Sequence, residues 1–256
     1  MEPLTSIPIK RIREIKGLFF DLDGTFVGKD ALRSEAYNYL EKLNNKGVKT
    51  VAVTGRSAGW CDLMARWWPV SGVIGENGAL FYSKVDGKIV RETYNISASL
   101  SNSQDKLHTL FGKLVKRYEY LKLASDQAFR QWDIAIDISE ETEVPVDVAL
   151  DIVKFCEKRG ARASISNIHV NVWFGDYNKE NMSLKIINDY GLDKENVIYI
   201  GDSPNDSPMF GCFPLSVGVS SVSNYKDIID NHPKYVCSRD GDHGFVELAD
   251  FILSTK

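Results

Sequence analysis

The chain alternates short apolar runs with stretches whose apolar residues recur at helical spacing. Residues 18–20 form an apolar run that ends abruptly at Asp21, and residues 48–53, 70–74 and 197–200 form similar runs. Runs of this length bounded by turn signals are typical of strands buried on both faces of a sheet. Amphipathic segments lie between them, and this alternation indicates βαβ units. The sequence therefore predicts an α/β fold with a doubly wound, mainly parallel sheet as its core.

The helices predicted in this core carry recognisable start signals. Asp30 is a candidate N-cap for a helix over residues 31–46, and Ser57 is a candidate N-cap for the helix that follows the second strand. Further helices are predicted over residues 179–190 and 245–253. Three tryptophans in or beside the second helix are interpreted as core residues or as contacts to a neighbouring unit: Trp60, Trp67 and Trp68.

The hydrophobic pattern changes near residue 85 and returns to the first type near residue 177. Residues 85–95 have the pattern of an edge strand or hairpin arm, and residues 101–122 have the spacing of an amphipathic helix. In residues 129–138 apolar side chains alternate with Asp133 and Asp137, which predicts a half-exposed strand of an antiparallel sheet. The remaining elements predicted in this block are a helix over 145–158 and a hairpin of 161–165 and 169–174.

This change of pattern predicts two units. Residues 1–83 and 177–256 would form the core, and residues 84–176 would form an α+β unit inserted into it. The hinges between the two are predicted near residues 83–86 and 175–178.

Composition and charge narrow the class of protein. With 256 residues, 43% of them apolar and 26% charged, the chain has the make-up of a globular domain. A net charge of −4 provides no basic field, so we expect no nucleic-acid partner. Neither a signal-peptide pattern nor a membrane-length apolar run is found, and no obligate protein partner is evident. Four widely spaced cysteines indicate reduced thiols and a cytoplasmic location: Cys61, Cys156, Cys212 and Cys237.

Polar clusters directly follow three of the predicted strands. Asp21 and Asp23 follow the first, Thr54 follows the second, and Asp202 and Asp206 follow the strand at 197–200. In open α/β sheets ligands bind outside the carboxyl ends of the strands, so these side chains would meet in one site. A carboxylate can attack a phosphate monoester as a nucleophile, and Mg²⁺ is suited to offset the anionic charge because it prefers oxygen ligands. The pattern therefore indicates phosphoryl chemistry on a small phosphorylated metabolite.

The same residues resemble the four motifs of the haloacid dehalogenase superfamily. These motifs occur in the expected order at residues 21–25, 53–56, 177–179 and 201–206. The inserted unit occupies the position of the large α+β cap called C2. The subgroup that the chain resembles contains Cof-type sugar phosphatases, sucrose phosphatase and mannosyl-3-phosphoglycerate phosphatase. The resemblance implies Mg²⁺-dependent hydrolysis of a sugar or polyol phosphate through an aspartyl-phosphate, beneath a closing cap.

The resemblance also implies a role for each motif residue. The expected catalytic residues are Asp21 as nucleophile and Asp23 as acid and base. Thr54 and Gly55 are expected to bind the phosphoryl group, and Lys179 to neutralise its charge. The expected metal site consists of Asp21, the Asp23 carbonyl, Asp202 and Asp206, with Asp206 holding either the metal shell or Lys179. Glu180 departs from the pattern, since many relatives have glycine after the motif lysine. Lys185 is therefore the alternative to Lys179.

Several alternatives stay open at this point. The chain could be a phosphotransferase that resembles phosphomannomutase, or a phosphosugar-binding protein without catalysis. Arg56 could reach the substrate or lie at the surface, and Asn77 could approach the site or not. His169, Asn171 and Trp173 share one face of the predicted hairpin, where any of them could contact the leaving group or serve the sheet alone.

Overall fold

A computed structural model describes residues 1–28, 31–94 and 103–256 of the chain. The strands are β1 (Glu2–Pro3), β2 (Gly17–Phe20), β3 (Lys49–Val53), β4 (Gly72–Gly75), β5 (Leu80–Val85), β6 (Lys88–Thr93), β7 (Asp133–Asp137), β8 (Arg162–Ile165), β9 (His169–Trp173), β10 (Val197–Gly201), β11 (Leu215–Gly218) and β12 (Tyr235–Val236). The α-helices are α1 (Ile9–Arg13), α2 (Ser34–Asn45), α3 (Ala58–Trp67), α4 (Ser103–Val115), α5 (Val146–Glu157), α6 (Lys179–Asp189), α7 (Ser207–Cys212) and α8 (Gly241–Ser254).

A nine-stranded sheet forms the centre of the core, with the strand order β1-β12-β11-β10-β2-β3-β4-β5-β6. The pairs from β1 to β4 in this order are parallel, and only the β4–β5 and β5–β6 pairs are antiparallel. Strands β10, β2 and β3 are neighbours at the centre, so the residues that follow them emerge side by side. The predicted doubly wound, mainly parallel α/β core is confirmed.

Alternate residues of the central strands supply two separate hydrophobic cores. Phe20 and Ala52 belong to a cluster with residues of α1, α2, α3 and α8, whereas Phe19 and Val51 belong to a cluster with residues of α6 and α7. Successive side chains of a strand point to opposite faces, so each central strand must be apolar on both sides. This double burial explains the continuous apolar runs and holds the central strand ends in fixed positions.

A second, three-stranded antiparallel sheet has the order β7-β9-β8. Apolar residues of α4 and α5 pack on one face of this sheet in a third hydrophobic cluster. We call the unit formed by α4, α5, β7, β8 and β9 the cap. Its other sheet face carries Asp133, His169 and Asn171, which are all buried. The polar face of the cap therefore lies against the core rather than in solvent.

The strand β7 is not half-exposed as its alternating pattern predicts. All five of its residues are buried, including Asp133 and Asp137. Asp137 accepts hydrogen bonds from the backbone N–H groups of Ser139, Glu140 and Glu141, and Asp133 is paired with Arg130. Period-two alternation separates two faces of a strand but does not say whether the polar face meets water or buried partners.

The boundary predicted between residues 83 and 84 does not coincide with the end of a strand or helix. It falls inside β5, and β5 with β6 forms the antiparallel edge hairpin of the nine-stranded sheet. The predicted edge hairpin is confirmed, but its hydrogen bonds join it to the core. The first predicted hinge therefore lies within a paired strand, and we propose that the insertion begins after Thr93.

Two predicted helices differ in detail. Helix α2 begins at Ser34 with Arg33 as its N-cap residue, and the predicted cap Asp30 lies outside the described residues. In α3 the buried residues are Ala58, Cys61, Met64 and Ala65. Trp67 is 73% exposed, so its interpretation as a core residue is wrong. Within residues 1–28, 31–94 and 103–256, no helix has both the length and the apolarity needed to cross a bilayer.

Candidate active site

Three parallel strand ends bring the predicted catalytic side chains together. Register pairs Phe20 of β2 with Ala52 of β3 and with Ile200 of β10. Asp21, Thr54 and Asp202 then leave the sheet at one edge, and each is at most 4% exposed. Asp21, Asp23, Thr54 and Gly55 line one small cavity together with the cap residues at 166–169 and Asn171. The structure thus gathers the predicted residues between the core and the cap.

Lys179 connects the third motif to this cluster. Asn178 caps α6 through a hydrogen bond from Asn181 N–H to its side chain (2.7 Å), which places Lys179 at the first position of the helix. Lys179 Nζ donates to Asp21 Oδ1 at 2.6 Å and to Asp206 Oδ1 at 2.9 Å. The alternative, Lys185, pairs instead with Glu92 and Asp189 at the surface.

Asp206 is surrounded by donors. Its Oδ1 accepts from Lys179 and from the Tyr199 hydroxyl at 2.5 Å, and its Oδ2 accepts from the backbone N–H groups of Asp202 (3.0 Å) and Ser203 (3.3 Å). Gly201 leaves the space for this arrangement, since a Cβ there would collide with the Asp206 carboxylate. Asp206 therefore fixes both Lys179 and the loop that carries Asp202.

The cluster holds more negative than positive charge in a buried place. Burial, followed by the charge of Asp206, raises the pKa of Asp21 to about 7, against the opposing effect of Lys179. Burial and the charges of Asp21 and Asp206 raise the pKa of Asp202 well above its ordinary value. The neighbouring carboxylates raise the pKa of Lys179 although its burial alone would lower it. A further positive charge would therefore stabilise the ionised form of these acids.

The residues present fit a hard divalent cation. One oxygen each from Asp21, Asp202 and Asp206 can be chosen so that all three lie within 4.8 Å of one another. Carboxylate oxygens are the ligands that Mg²⁺ prefers. Gly24 has φ +84°, and a Cβ there would lie 2.5 Å from Asp202 Oδ2. The glycine of the first motif is thus required because the chain passes so close to the Asp202 carboxylate.

Asp23 is held by Arg56, for which the sequence left open a place at the substrate or at the surface. Arg56 donates to both carboxylate oxygens of Asp23, through Nε at 3.1 and 2.9 Å and through Nη2 at 2.7 Å. Its Nη1 donates to Glu140 of the cap at 2.8 Å, and Glu140 lies 2.9 Å from His169 Nε2. Arg56 therefore belongs to the site and joins Asp23 to the cap.

The loop of the second motif presents its side chain to the cavity. The Thr54 hydroxyl accepts from Arg56 N–H at 3.0 Å, while the Thr54 N–H donates to Ile74 in the sheet. The hydroxyl proton is thus the group that Thr54 can offer to a ligand. Space at Gly55 is limited by Asn171 and Asn77, whose side-chain oxygens would lie 3.0 and 3.2 Å from a Cβ. Asn77 therefore does approach the site, through this contact.

A second buried ion cluster supports that loop from the cap side. Arg130 donates to Asp126, to Asp133 and to the carbonyl oxygen of Gly55, the last at 2.8 Å. Asp133 also accepts from the side-chain amides of Asn77 (3.2 Å) and Asn171 (3.1 Å). We call Arg130, Asp126 and Asp133 the arginine cluster. It fixes the second-motif loop to the cap.

The turn after β4 has a strained backbone that buried contacts maintain. Glu76 and Asn77 have φ values of +43° and +55°, which cost energy for residues other than glycine. The Glu76 carboxylate accepts from the backbone N–H groups of Ala58, Gln131 and Trp132. Burial and the charge of Asp133 raise the pKa of Glu76 to about 7, against these donors. The turn thus joins α3 to the start of β7.

Sequence reasoning missed several residues of this site. Among them are Glu76, Asp133, Glu140 and Asn167, all outside the four motifs. The alternation in β7 and the shared face of His169, Asn171 and Trp173 were available signals, because both mark a polar sheet face. Of those three residues, His169 and Asn171 line the cavity, while Trp173 stacks on Tyr177.

Comparison with known proteins identifies the family that the chain matches. The model of the haloacid dehalogenase-like hydrolases matches residues 18–116 and 93–248 of the chain. Phosphoglycolate phosphatase of Methanobrevibacter smithii is 24% identical to it, over 93% of this chain and 99% of that protein.

Solved structures share the fold. A Thermoplasma acidophilum protein superposes with a TM-score of 0.73 at 18% identity, covering 94% of this chain and 98% of that one. The sucrose-phosphatase of Synechocystis, solved with sucrose and phosphate, superposes with a TM-score of 0.64 at 17% identity, covering 93% and 98%. With a family model that matches most of its length, the chain belongs to the haloacid dehalogenase-like hydrolases.

Proposed function

We propose that the protein is a Mg²⁺-dependent phosphatase that hydrolyses a small phosphomonoester through an aspartyl-phosphate. The observation that carries this proposal is the buried Asp21 carboxylate. It lies 2.6 Å from Lys179 Nζ, shares a cavity with Asp23, and has Asp202 and Asp206 beside it. A nucleophile, an acid and base, and an oxygen-rich cation site are the groups that this reaction needs.

The roles follow from the contacts. Asp21 attacks the phosphorus atom, and the bond between phosphorus and the leaving oxygen breaks while Asp23 gives that oxygen a proton. Asp23 then takes a proton from the water that hydrolyses the aspartyl-phosphate. The Thr54 hydroxyl and the loop at Gly55 bind the phosphoryl oxygens. Lys179 orients Asp21 and favours its ionised form, against the opposing effects of burial and Asp206.

Asp21, Asp202 and the Asp23 carbonyl would hold the cation, which supplies positive charge for the phosphoryl oxygens when bound. Asp206 already accepts from four donors, so we assign it to positioning Lys179 and the Asp202 loop. The identity of the ion as Mg²⁺ and the ligand role of Asp206 stay predictions.

The cavity beside the catalytic residues supports a small, hydroxyl-rich leaving group. It has a volume of about 660 Å³, and the polar residues in its lining include Asp23, Arg56, Ser139, Asn167, Asn224 and Tyr225. Two carboxylates, Asp23 and Glu140, already pair with Arg56 there, so a carboxylate on the leaving group would find little uncompensated positive charge. A sugar or polyol phosphate is therefore the substrate class that we propose.

The cap completes this proposal. Residues of its β8–β9 turn and Asn171 close the cavity over Asp21, which would exclude water and contact the leaving group. We propose that the cap unit runs from after Thr93 to about residue 176. A cytoplasmic location, predicted from the unpaired cysteines, stays a prediction.

Phosphate release from a panel of sugar phosphates tests the function, with Mg²⁺ and with EDTA. We expect Asp21→Asn to lower release by at least about 10³-fold, because the covalent step is lost. Asp105→Asn, an exposed substitution on α4, is the matched control and should leave release unchanged. Release that survives Asp21→Asn would contradict the nucleophile assignment. Transfer of phosphate between sugar carbons without release would favour the phosphotransferase alternative, and binding without turnover would favour a binding protein.

A further inference from the structure

The turn between β8 and β9 reaches from the cap into the acidic cluster. Asn167, in this turn, donates from Nδ2 to the Asp23 backbone oxygen at 3.0 Å and to Asp202 Oδ2 at 3.4 Å. These two acceptors are separated from Asn167 by 144 and 35 residues in the chain. The contact is therefore a tertiary one that links the cap to two core loops.

Both acceptors are oxygens that the proposed function assigns to the cation. Each of these oxygens has more than one lone pair, but an N–H hydrogen directed at such an oxygen would be repelled by a divalent cation bound there. The space is narrow as well: a Cβ on Gly24 would lie 2.5 Å from both Asn167 Nδ2 and Asp202 Oδ2. The amide and a cation therefore cannot occupy this position together.

The other end of the same side chain has no partner. Asn167 Oδ1 is buried without a hydrogen bond among the described residues. A buried polar atom without a partner costs free energy, so the amide position depends on its two N–H contacts. Loss of those contacts to a cation would leave the Asn167 side chain without a hydrogen bond to the core among the described residues.

We propose that Asn167 is a cation-responsive latch between the cap and the core. Its amide holds the β8–β9 turn on the Asp23 and Asp202 oxygens, and cation binding displaces it. The turn would then be released from these two oxygens when the metal enters. This inference rests on the metal site of the proposed function.

Mn²⁺ binding measured by electron paramagnetic resonance tests the latch without any substrate. We expect Asn167→Ala to tighten Mn²⁺ binding roughly three- to tenfold, because hydrogen bonds to a charged acceptor no longer oppose the cation. Asn188→Ala, an exposed substitution on α6, is the matched control and should bind as wild type does. Unchanged or weaker binding by Asn167→Ala would overturn the proposal.

A second measurement uses only the wild-type chain. Mn²⁺ should increase hydrogen–deuterium exchange in residues 162–173, which contain the turn and both its strands. Unchanged or slower exchange there on Mn²⁺ binding would overturn the latch, while the metal site itself would stand. If wild type bound no Mn²⁺ at all, the metal site would be wrong, and the latch with it.

Discussion

Two buried clusters of similar make-up lie on either side of the second-motif loop. One has Lys179 between Asp21 and Asp206, and we call it the lysine cluster. The other is the arginine cluster, in which Arg130 lies between Asp126 and Asp133. Lys179 and Arg130 have 4% and 0% of their side chains exposed. Each cluster thus places one buried cation between two carboxylates.

The clusters differ in how the remaining negative charge is compensated. Around the arginine cluster, neutral donors take up the excess: the Asn77 and Asn171 amides reach Asp133, and backbone N–H groups reach Glu76. Beside the lysine cluster, the only donors to the Asp202 side chain among the described residues are Thr25 (3.3 Å) and Asn167 (3.4 Å), both at long distance. Carboxylates with more hydrogen-bond donors make a structural joint, whereas carboxylates with fewer donors beside a cavity make a site for a cation and an anionic substrate.

Replacement of the buried cation should give the largest difference in stability and Mg²⁺ response between the two clusters. Arg130→Met leaves Asp126 and Asp133 without their partner, and we expect it to lower the free energy of unfolding by about 3–5 kcal/mol. The measurement is urea unfolding with and without Mg²⁺, and Mg²⁺ should not restore this loss. Lys179→Met is the matched variant: Mg²⁺ should stabilise it more than it stabilises wild type. Equal responses of both variants to Mg²⁺ would contradict the comparison.

Added Mg²⁺ should stabilise the folded chain through the lysine cluster and the neighbouring Asp202, and not through the arginine cluster. We expect Mg²⁺ at 100 times its dissociation constant to stabilise wild type by about 2.7 kcal/mol, because it binds only the folded chain. Thermal unfolding in Mg²⁺ and in EDTA measures this. Asp202→Asn should lose the effect, and Asp126→Asn should keep it. A Mg²⁺ effect that survives Asp202→Asn would place the ion elsewhere.

The smallest effect is expected from the ion pair that joins the two units near the cavity. The His169 hydrogen bond, helped by Arg56, lowers the pKa of Glu140 from 4.5 to about 2. The unfolded chain therefore takes up this proton first as pH falls. The stabilisation is complete above about pH 4.5 and is lost as pH falls towards 2.

Comparison of wild type with Glu140→Gln across this pH range measures that contribution. We expect a difference below about 1 kcal/mol at neutral pH, because water screens a partly exposed pair. The difference should shrink as pH falls below 4.5. Glu141→Gln, at the exposed neighbouring position, should show no such pH dependence. A difference that grows on acidification would contradict the assignment.

The local sequence was sufficient to predict which strand ends carry the central residues of the site. Strands buried on both faces must be apolar throughout, so their ends are visible as sharp changes to polar residues at Asp21, Thr54 and Asp202. Parallel neighbours then bring those ends together at one edge, whatever the rest of the chain does. For the same reason the doubly wound fold and the inserted α+β unit could be predicted from the pattern alone.

Only the tertiary structure showed which other residues join Asp21, Thr54 and Asp202 at the site. Arg130 reaches Gly55 across 75 residues, Arg56 reaches Glu140 across 84, and Asn167 reaches Asp23 across 144. Hydrophobic periodicity records which face of an element is apolar, but it carries no information about what its polar face contacts. A buried charge depends on partners from distant segments for its compensation, so the second cluster and the Asn167 contact became visible only in the folded chain.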